Sequence, residues 1–94
     1  MTPKMLLDLG TKLARQGDWE NAITAFCSAI KLAPRYSPAY NNLGLVLKNT
    51  NRRPEAAACF GRALELNPGD PYAYNNLGLV LMEAGNYQRT DHRD

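Results

Sequence analysis

Side chains that build catalytic or metal centres are scarce in this sequence. Its 94 residues include one histidine, His92, and two cysteines, Cys27 and Cys59, which lie too far apart for a metal-binding or redox motif. The carboxylates are scattered, and the glycines do not form a phosphate-binding loop. These absences predict a protein that is not an enzyme and that holds no metal or cofactor.

Long apolar runs and blocks of like charge are also missing. No segment approaches the roughly 18–20 apolar residues that span a bilayer, and Asp8 interrupts the apolar start of the chain, which does not resemble a signal peptide. Eleven Lys and Arg residues are interspersed with nine Asp and Glu residues, for a net charge of +2. We therefore expect a cytoplasmic protein with neither a nucleic-acid nor a membrane partner.

The composition is that of a folded domain. Apolar residues make up 45% of the chain, which excludes a disordered protein and predicts one domain over residues 1–94. Cys27 and Cys59 are interpreted as small buried apolar residues, and a disulfide between them is the alternative.

The chain contains an internal repeat of 34 residues. The segment 39–47, AYNNLGLVL, recurs at 73–81, and 73 − 39 = 34. The same offset relates a second block: Ala22, Phe26, Ala29 and Pro34 match Ala56, Phe60, Ala63 and Pro68. A third copy lies 34 residues before the first block, where Leu6, Leu9, Gly10 and Leu13 match Tyr40, Leu43, Gly44 and Leu47. The repeats are residues 3–36, residues 37–70 and an incomplete third over 71–94.

Each repeat reads as two helices, because apolar residues recur at helical spacing in both halves. Four residues are suited to cap helix N-termini: Thr2, Asp18, Ser37 and Asp70. Gly17 and Gly85 are predicted turns, while Pro34 and Pro68 end the second helices. The pattern predicts helices over 3–16, 19–32, 37–50, 53–66 and 71–84, followed by a polar C-terminal tail.

Three glycines fall in the middle of predicted helices, where glycine costs roughly 1 kcal/mol relative to alanine. These are Gly10, Gly44 and Gly78. We expect a partner helix to cross closely at each, with alanines of the second helices as the matching flat surfaces. Aromatic residues should fill the gaps beside the crossings: Phe26, Tyr40, Phe60 and Tyr74.

In these residues the sequence resembles the tetratricopeptide repeat family, whose unit is a 34-residue helix pair. The resemblance implies an all-α fold of antiparallel helix hairpins stacked as a right-handed α-solenoid. The second repeat departs at Asn51 and Arg53, where the family carries glycine and an aromatic residue, so its turn is expected to be altered. The third repeat stops, with Thr90 where alanine belongs and Asp94 where phenylalanine belongs.

The incomplete third repeat leaves helix 71–84 without the helix that would cover it. Four of its residues are expected on the uncovered side: Tyr74, Leu77, Val80 and Leu81. Either the chain was cut from a longer array, or it forms homo-oligomers through this helix.

The resemblance also implies a concave groove lined by the first helix of each repeat. The groove candidates are Asp8, Thr11, Asn41, Asn42, Leu45, Lys48, Asn75, Asn76 and Leu79. Asn42 and Asn76 are favoured, because a side-chain amide both donates and accepts and so can bond a peptide backbone of any sequence. The alternative is that both are merely solvated positions of a helix face.

A protein-interaction module that binds an extended peptide or a partner helix is the function that this resemblance implies. Two alternatives stay open. The chain could be a substrate-presenting fragment of a larger enzyme, such as a protein glycosyltransferase, whose similar arrays use asparagine at the Asn42 position. It could also be a self-assembling structural repeat protein.

Overall fold

Five α-helices make up the part of the chain that is described here by a computed structural model, which covers the backbone of residues 1–93 and the side chains of residues 1–83. They are α1 (Pro3–Arg15), α2 (Trp19–Leu32), α3 (Ser37–Asn49), α4 (Arg53–Leu66) and α5 (Pro71–Arg93). The backbone over 1–93 contains no strand. The predicted all-α architecture of five helices is confirmed.

The helices form successive antiparallel hairpins. Each helix packs on its neighbour in the chain, and α1 also contacts α3 while α3 contacts α5. In the described part of the chain α2 and α4 do not contact each other. The second helices of the two repeats therefore lie farther apart than their first helices, α1 and α3, do. The face formed by the first helices is therefore the concave one.

Helix starts follow the predicted caps in three of four cases. The Met5 N–H donates to Thr2 Oγ1 at 3.1 Å, and the Tyr72 N–H donates to Asp70 Oδ1 at 3.0 Å. Asp18 occupies the cap position of α2 without a side-chain bond to the backbone. The prediction that Ser37 caps α3 is wrong, because Ser37 is the first helical residue and Tyr36 precedes it as the cap.

The predicted end of the fifth helix at 84 is wrong, because the α5 backbone continues to Arg93. A glycine alone does not end a helix, and residues 85–93 contain one glycine and no proline. The side chains of the predicted polar tail, His92 included, lie outside the described residues.

The turn inside the second repeat keeps the geometry of the first. Asn51 has φ 64° and Gly17 has φ 79°, both in the left-handed region. The Arg52 N–H donates to the Leu47 carbonyl at 2.7 Å, as the Asp18 N–H donates to the Leu13 carbonyl at 2.9 Å. The expectation of an altered turn is wrong, because asparagine is among the few non-glycine residues that adopt this conformation readily.

Two phenylalanines form the centre of the core. Phe26 and Phe60 are at most 1% exposed, and each ring lies against the middle glycine of the preceding helix. A β-carbon placed on Gly10 would be 2.5 Å from Phe26 Cε1, and one placed on Gly44 would be 2.9 Å from Phe60 Cε1. Gly10 and Gly44 are thus needed at close crossings, as predicted, but rings rather than alanines fill them. The predicted crossing at Gly78 is wrong, because no described atom lies within 4 Å of a β-carbon added there.

The core predictions for the third repeat are only partly correct. Val80 is 1% exposed and packs in the core, although the sequence predicts it on the uncovered side. Tyr74 is 71% exposed, so its predicted gap-filling role is wrong. The difference follows from their surroundings: Val80 packs in the cluster that contains Phe60 of α4, whereas Tyr74 belongs to no core cluster of the described residues.

The cysteines differ from the sequence prediction. Cys27 is exposed rather than buried, Cys59 is half-buried, and both are free thiols. Burial raises the pKa of the Cys59 thiol to about 11, with smaller contributions from Cys27 and Glu55. Burial also raises the pKa of Cys27.

We expect Cys59 to react slowly with an alkylating reagent, and Cys27 to react first. A pKa of about 11 leaves about one thiolate in a thousand at pH 8, and only the thiolate attacks. Iodoacetamide labelling of the Cys27→Ser and Cys59→Ser variants, followed by mass spectrometry, measures each thiol separately. Denaturant should remove the difference, and equal rates in the folded protein would contradict this assignment.

Candidate functional site: the concave groove

A groove of about 340 Å³ opens on the concave face. The first helices supply most of its wall, Trp19 and Phe26 of α2 contribute to its lining, and Tyr72 reaches it from the start of α5. The full lining is Thr11, Ala14, Arg15, Trp19, Phe26, Asn42, Leu45, Val46, Asn49 and Tyr72. We call this set the concave groove.

Three of the nine sequence candidates line the concave groove. Thr11 comes from α1, and Asn42 and Leu45 come from α3, each of them half-buried. The Asn42 Nδ2 donates to Thr11 Oγ1 at 3.4 Å, which is long for a hydrogen bond. Thr11 Oγ1 donates in turn to the Leu7 carbonyl at 2.9 Å, so the hydroxyl proton is engaged within α1.

Asn41, also predicted for the groove, is not among the residues that line it. It is 7% exposed, and its Nδ2 donates to Asp70 Oδ2 at 2.7 Å. Because Asp70 Oδ1 also accepts from the first turn of α5, this contact fixes the entry of α5 against α3. Asn41 therefore joins α3 to the start of the third repeat.

The remaining candidates lie outside the lining of the groove. Asp8 is exposed and paired with Lys4 at 2.9 Å, and the Asn76 Nδ2 donates to the Tyr72 carbonyl of its own helix at 3.0 Å. Lys48 is half-buried, whereas Asn75 and Leu79 are exposed. Leu79 stands seven residues after Tyr72, so it extends the same helix face beyond the groove.

Sequence reasoning missed two aromatic contributions from α2. It assigns Phe26 only to the core and gives Trp19 no role, yet both contribute to the groove lining. The available signal was that Trp19 is the one tryptophan of the sequence and directly follows a helix cap. It is half-buried, which leaves part of the indole accessible to a ligand.

The chemistry of the concave groove is that of a binding surface. Arg15 is the one charged residue in the lining, and it lies beside apolar, aromatic and amide side chains. Among the described residues, no group of three or more His, Cys, Asp or Glu side chains could hold a metal ion. The helices described in the structure include none that is long and apolar enough to cross a membrane.

Comparison with known proteins places these features in a family. A family model described as "Tetratricopeptide repeat" matches residues 42–89, and another described as "TPR repeat" matches residues 10–51. Two solved structures titled "Crystal structure of MamA" and "Crystal structure of MamA protein" superpose with TM-scores of 0.87 and 0.86 at 27% identity. Each match covers 89% of this chain, but only 49% and 46% of the solved chains.

Two curated plant proteins resemble part of the chain. Both are probable UDP-N-acetylglucosamine–peptide N-acetylglucosaminyltransferases named SPINDLY, from Hordeum vulgare and from Oryza sativa subsp. japonica, 38% identical over 55 residues. The matched stretch is 58% of this chain and 6% of either relative. From the match over residues 42–89 and the stacked hairpins, the chain belongs to the tetratricopeptide repeat family.

Proposed function

We propose that the concave groove of this protein-interaction module binds an extended segment of another protein. The observation that carries the proposal is the half-exposed amide of Asn42 in the wall of an otherwise largely apolar groove. In an extended ligand, Asn42 would bond a backbone amide, while Trp19 and Leu45 would contact apolar side chains.

The weak contact of Asn42 with its own protein supports this role. Its Nδ2 lies 3.4 Å from Thr11 Oγ1, which is a weak hydrogen bond. The amide can therefore give up this bond and form one with a ligand at a small cost in free energy. Arg15 adds a preference for an acidic residue beside the apolar one, because its guanidinium is the charged group of the groove lining.

Selection of peptides from a random displayed library, followed by affinity measurement, tests the proposal. Trp19 is the one tryptophan of the sequence, so its fluorescence reports binding directly. The Asn42→Ala variant should weaken the selected peptides about 5- to 10-fold, since one hydrogen bond contributes about 1 kcal/mol.

A matched control is Asn75→Ala, the same substitution at an exposed position of α5 outside the groove lining. It should leave peptide affinity unchanged, and both variants should keep their thermal midpoints within a few degrees. If Asn42→Ala and Asn75→Ala bound the selected peptides equally well, Asn42 would be only a solvated polar position.

A second candidate function is the presentation of substrates to a catalytic domain in a longer protein. The similarity to the SPINDLY relatives favours it, although the stretch shared is 6% of their length. In both candidates the described helices bind protein and do not themselves catalyse. Peptide selection distinguishes the two candidates. If the module presents substrates to a transferase, the selected peptides should carry the acceptor residue of that enzyme near the apolar side chain that contacts Trp19 and Leu45.

A further inference from the structure

The two junctions between neighbouring repeats differ at one pair of positions. At the junction of the second and third repeats, Arg53 at the start of α4 and Glu83 on α5 form an ion pair, with Nε and Oε1 3.1 Å apart. Their counterparts 34 residues earlier, at the first junction, are Trp19 on α2 and Asn49 on α3. An indole and an amide carry no charge, so the first junction cannot form this bridge.

The first junction opens into the concave groove at these positions. Trp19 and Asn49 line the groove together with Ala14. The counterpart of Ala14 in the second repeat is Lys48, a longer side chain that is half-buried. The first junction thus combines a small residue, an uncharged rim and the ring of Phe26, which is 1% exposed and forms the floor. We call Ala14, Trp19, Phe26 and Asn49 the junction cleft.

The walls of the junction cleft favour an aromatic side chain. Aromatic rings that pack edge to face or offset-stacked contribute more than the area that they bury. Trp19 is half-buried, so part of its indole is accessible to a second ring. The concave groove, at about 340 Å³, is near the lower end of the range of roughly 300–1,000 Å³ for ligand pockets. That volume suits a side chain of a peptide better than a larger free ligand.

Arg15 gives the cleft a preference for negative charge. It lines the groove from the last turn of α1 and takes part in none of the ion pairs of the described residues. A carboxylate beside the aromatic ring of a ligand would therefore meet an unpaired guanidinium. Because Asn49 is neutral where its counterpart Glu83 is an acid, the rim of the cleft does not repel that carboxylate.

We propose that the junction cleft selects an aromatic side chain with an acidic residue next to it in the ligand. This proposal rests on the proposed function, since the same extended segment bonds Asn42, and it names the side chains that give the groove its specificity. The ring packs on Trp19 above Phe26, and the carboxylate pairs with Arg15. Trp19 and Asn49 determine the selection, because an ion pair at these two positions would bridge the cleft and exclude the ring.

Blocked dipeptides test the cleft without a selected ligand. N-acetyl-Phe-Asp-amide is compared with N-acetyl-Leu-Asp-amide and N-acetyl-Phe-Asn-amide, and the backbone amide shifts in NMR spectra of the full chain report each affinity. The one tryptophan gives a single indole N–H signal, which should shift on binding. We expect the aromatic dipeptide to bind about 2- to 10-fold more tightly than the leucine dipeptide. The carboxylate should add about 2- to 5-fold at low salt.

Substitutions at the cleft locate the selection. Trp19→Leu should abolish the preference for the aromatic dipeptide, whereas Trp19→Phe should retain most of it. The double variant, Trp19→Arg with Asn49→Glu, transfers the ion pair of the next junction and should not bind at concentrations that saturate the original chain. It should keep its thermal midpoint within a few degrees, because the next repeat has the same residue types at these positions. The control Asn75→Glu adds a carboxylate outside the groove lining and should bind normally.

Equal affinity for the aromatic and leucine dipeptides would overturn the proposal, as would a double variant that binds like the original chain. Amide shifts confined to residues outside the cleft would overturn it too. These failures are distinguishable from failure of the proposed function. Library peptides that bind and are weakened by Asn42→Ala would keep the groove as a peptide site while removing the aromatic selection. Selective dipeptide binding without any library peptide would support the cleft and reject the bond to Asn42.

Discussion

Phe60→Ala should lower the free energy of unfolding by about 3–5 kcal/mol, the range for truncating a fully buried phenylalanine. The ring has no exposed surface and fills the close crossing between α4 and Gly44 of α3. A domain of this size has a total stability of roughly 5–14 kcal/mol. The loss therefore takes a large share of what keeps the protein folded.

Thermal unfolding followed by circular dichroism measures this effect. Each kcal/mol moves the midpoint of so small a domain by about 4–8 °C, so a fall of at least about 12 °C is expected. Tyr74→Ala is the control, because it removes an aromatic ring that is 71% exposed, and it should change stability by less than about 0.5 kcal/mol. Equal shifts for the two variants would mean that the Tyr74 ring is covered in solution.

The fold was predictable because a 34-residue offset repeats both the large and the small side chains. The middle glycines and the phenylalanines recur in one register, and the structure joins them as contacts across each hairpin. The turn between the paired helices is also repeated: Asn51 adopts the left-handed backbone conformation of Gly17, its counterpart one repeat earlier, although the residue type differs. A repeat thus predicts backbone geometry better than residue type alone does.

The groove was harder to predict, since neighbouring residues of a helix differ by about 100° in direction. Asn41 and Asn42 are chemically identical, and one is buried against Asp70 while the other lines the groove. That difference depends on a carboxylate 29 positions away. Trp19 was missed for the same reason, because its approach to the first helices depends on the packing angle of the hairpin.

The exposure of Cys27 and Val80 could not be read from composition. Both are residue types that are usually buried, but the neighbours of each decide its environment. Val80 packs in the core cluster with Phe60 of α4 and is 1% exposed, while Cys27 on α2 is exposed. In a stack of repeats, burial depends on which neighbouring helix is present: Leu47 on α3 is 6% exposed, whereas Leu81 at the same repeat position on α5 is 55% exposed.

Asp70→Ala should lower the free energy of unfolding by about 2–4 kcal/mol, because one carboxylate has two structural roles. Its Oδ1 accepts the Tyr72 and Ala73 N–H groups at 3.0 and 3.4 Å, and loss of such a cap costs about 1 kcal/mol. Its Oδ2 accepts from Asn41 Nδ2 at 2.7 Å, and leaving that buried amide unbonded costs roughly a further 1–3 kcal/mol.

Chemical denaturation of four chains separates the two roles: the original, Asp70→Ala, Asn41→Leu and the double variant. A coupling energy of about 1–3 kcal/mol is expected, since the leucine side chain in the double variant carries no amide that needs a partner. Asp70→Ser, which keeps a capping oxygen but is too short to reach Asn41 as well, should lie between Asp70→Ala and the original chain.

Asp70 also places a groove residue, because Tyr72 follows it by two positions and lines the concave groove. If α5 is held by this carboxylate, Asp70→Ala should weaken groove peptides that contact Tyr72, while Asp70→Ser should retain most of their affinity. A coupling energy near zero, with peptide affinity unchanged in Asp70→Ala, would show that α5 is positioned by its apolar contacts with α4 alone. The polar contact would then contribute to the stability of the helix end but not to the shape of the binding surface.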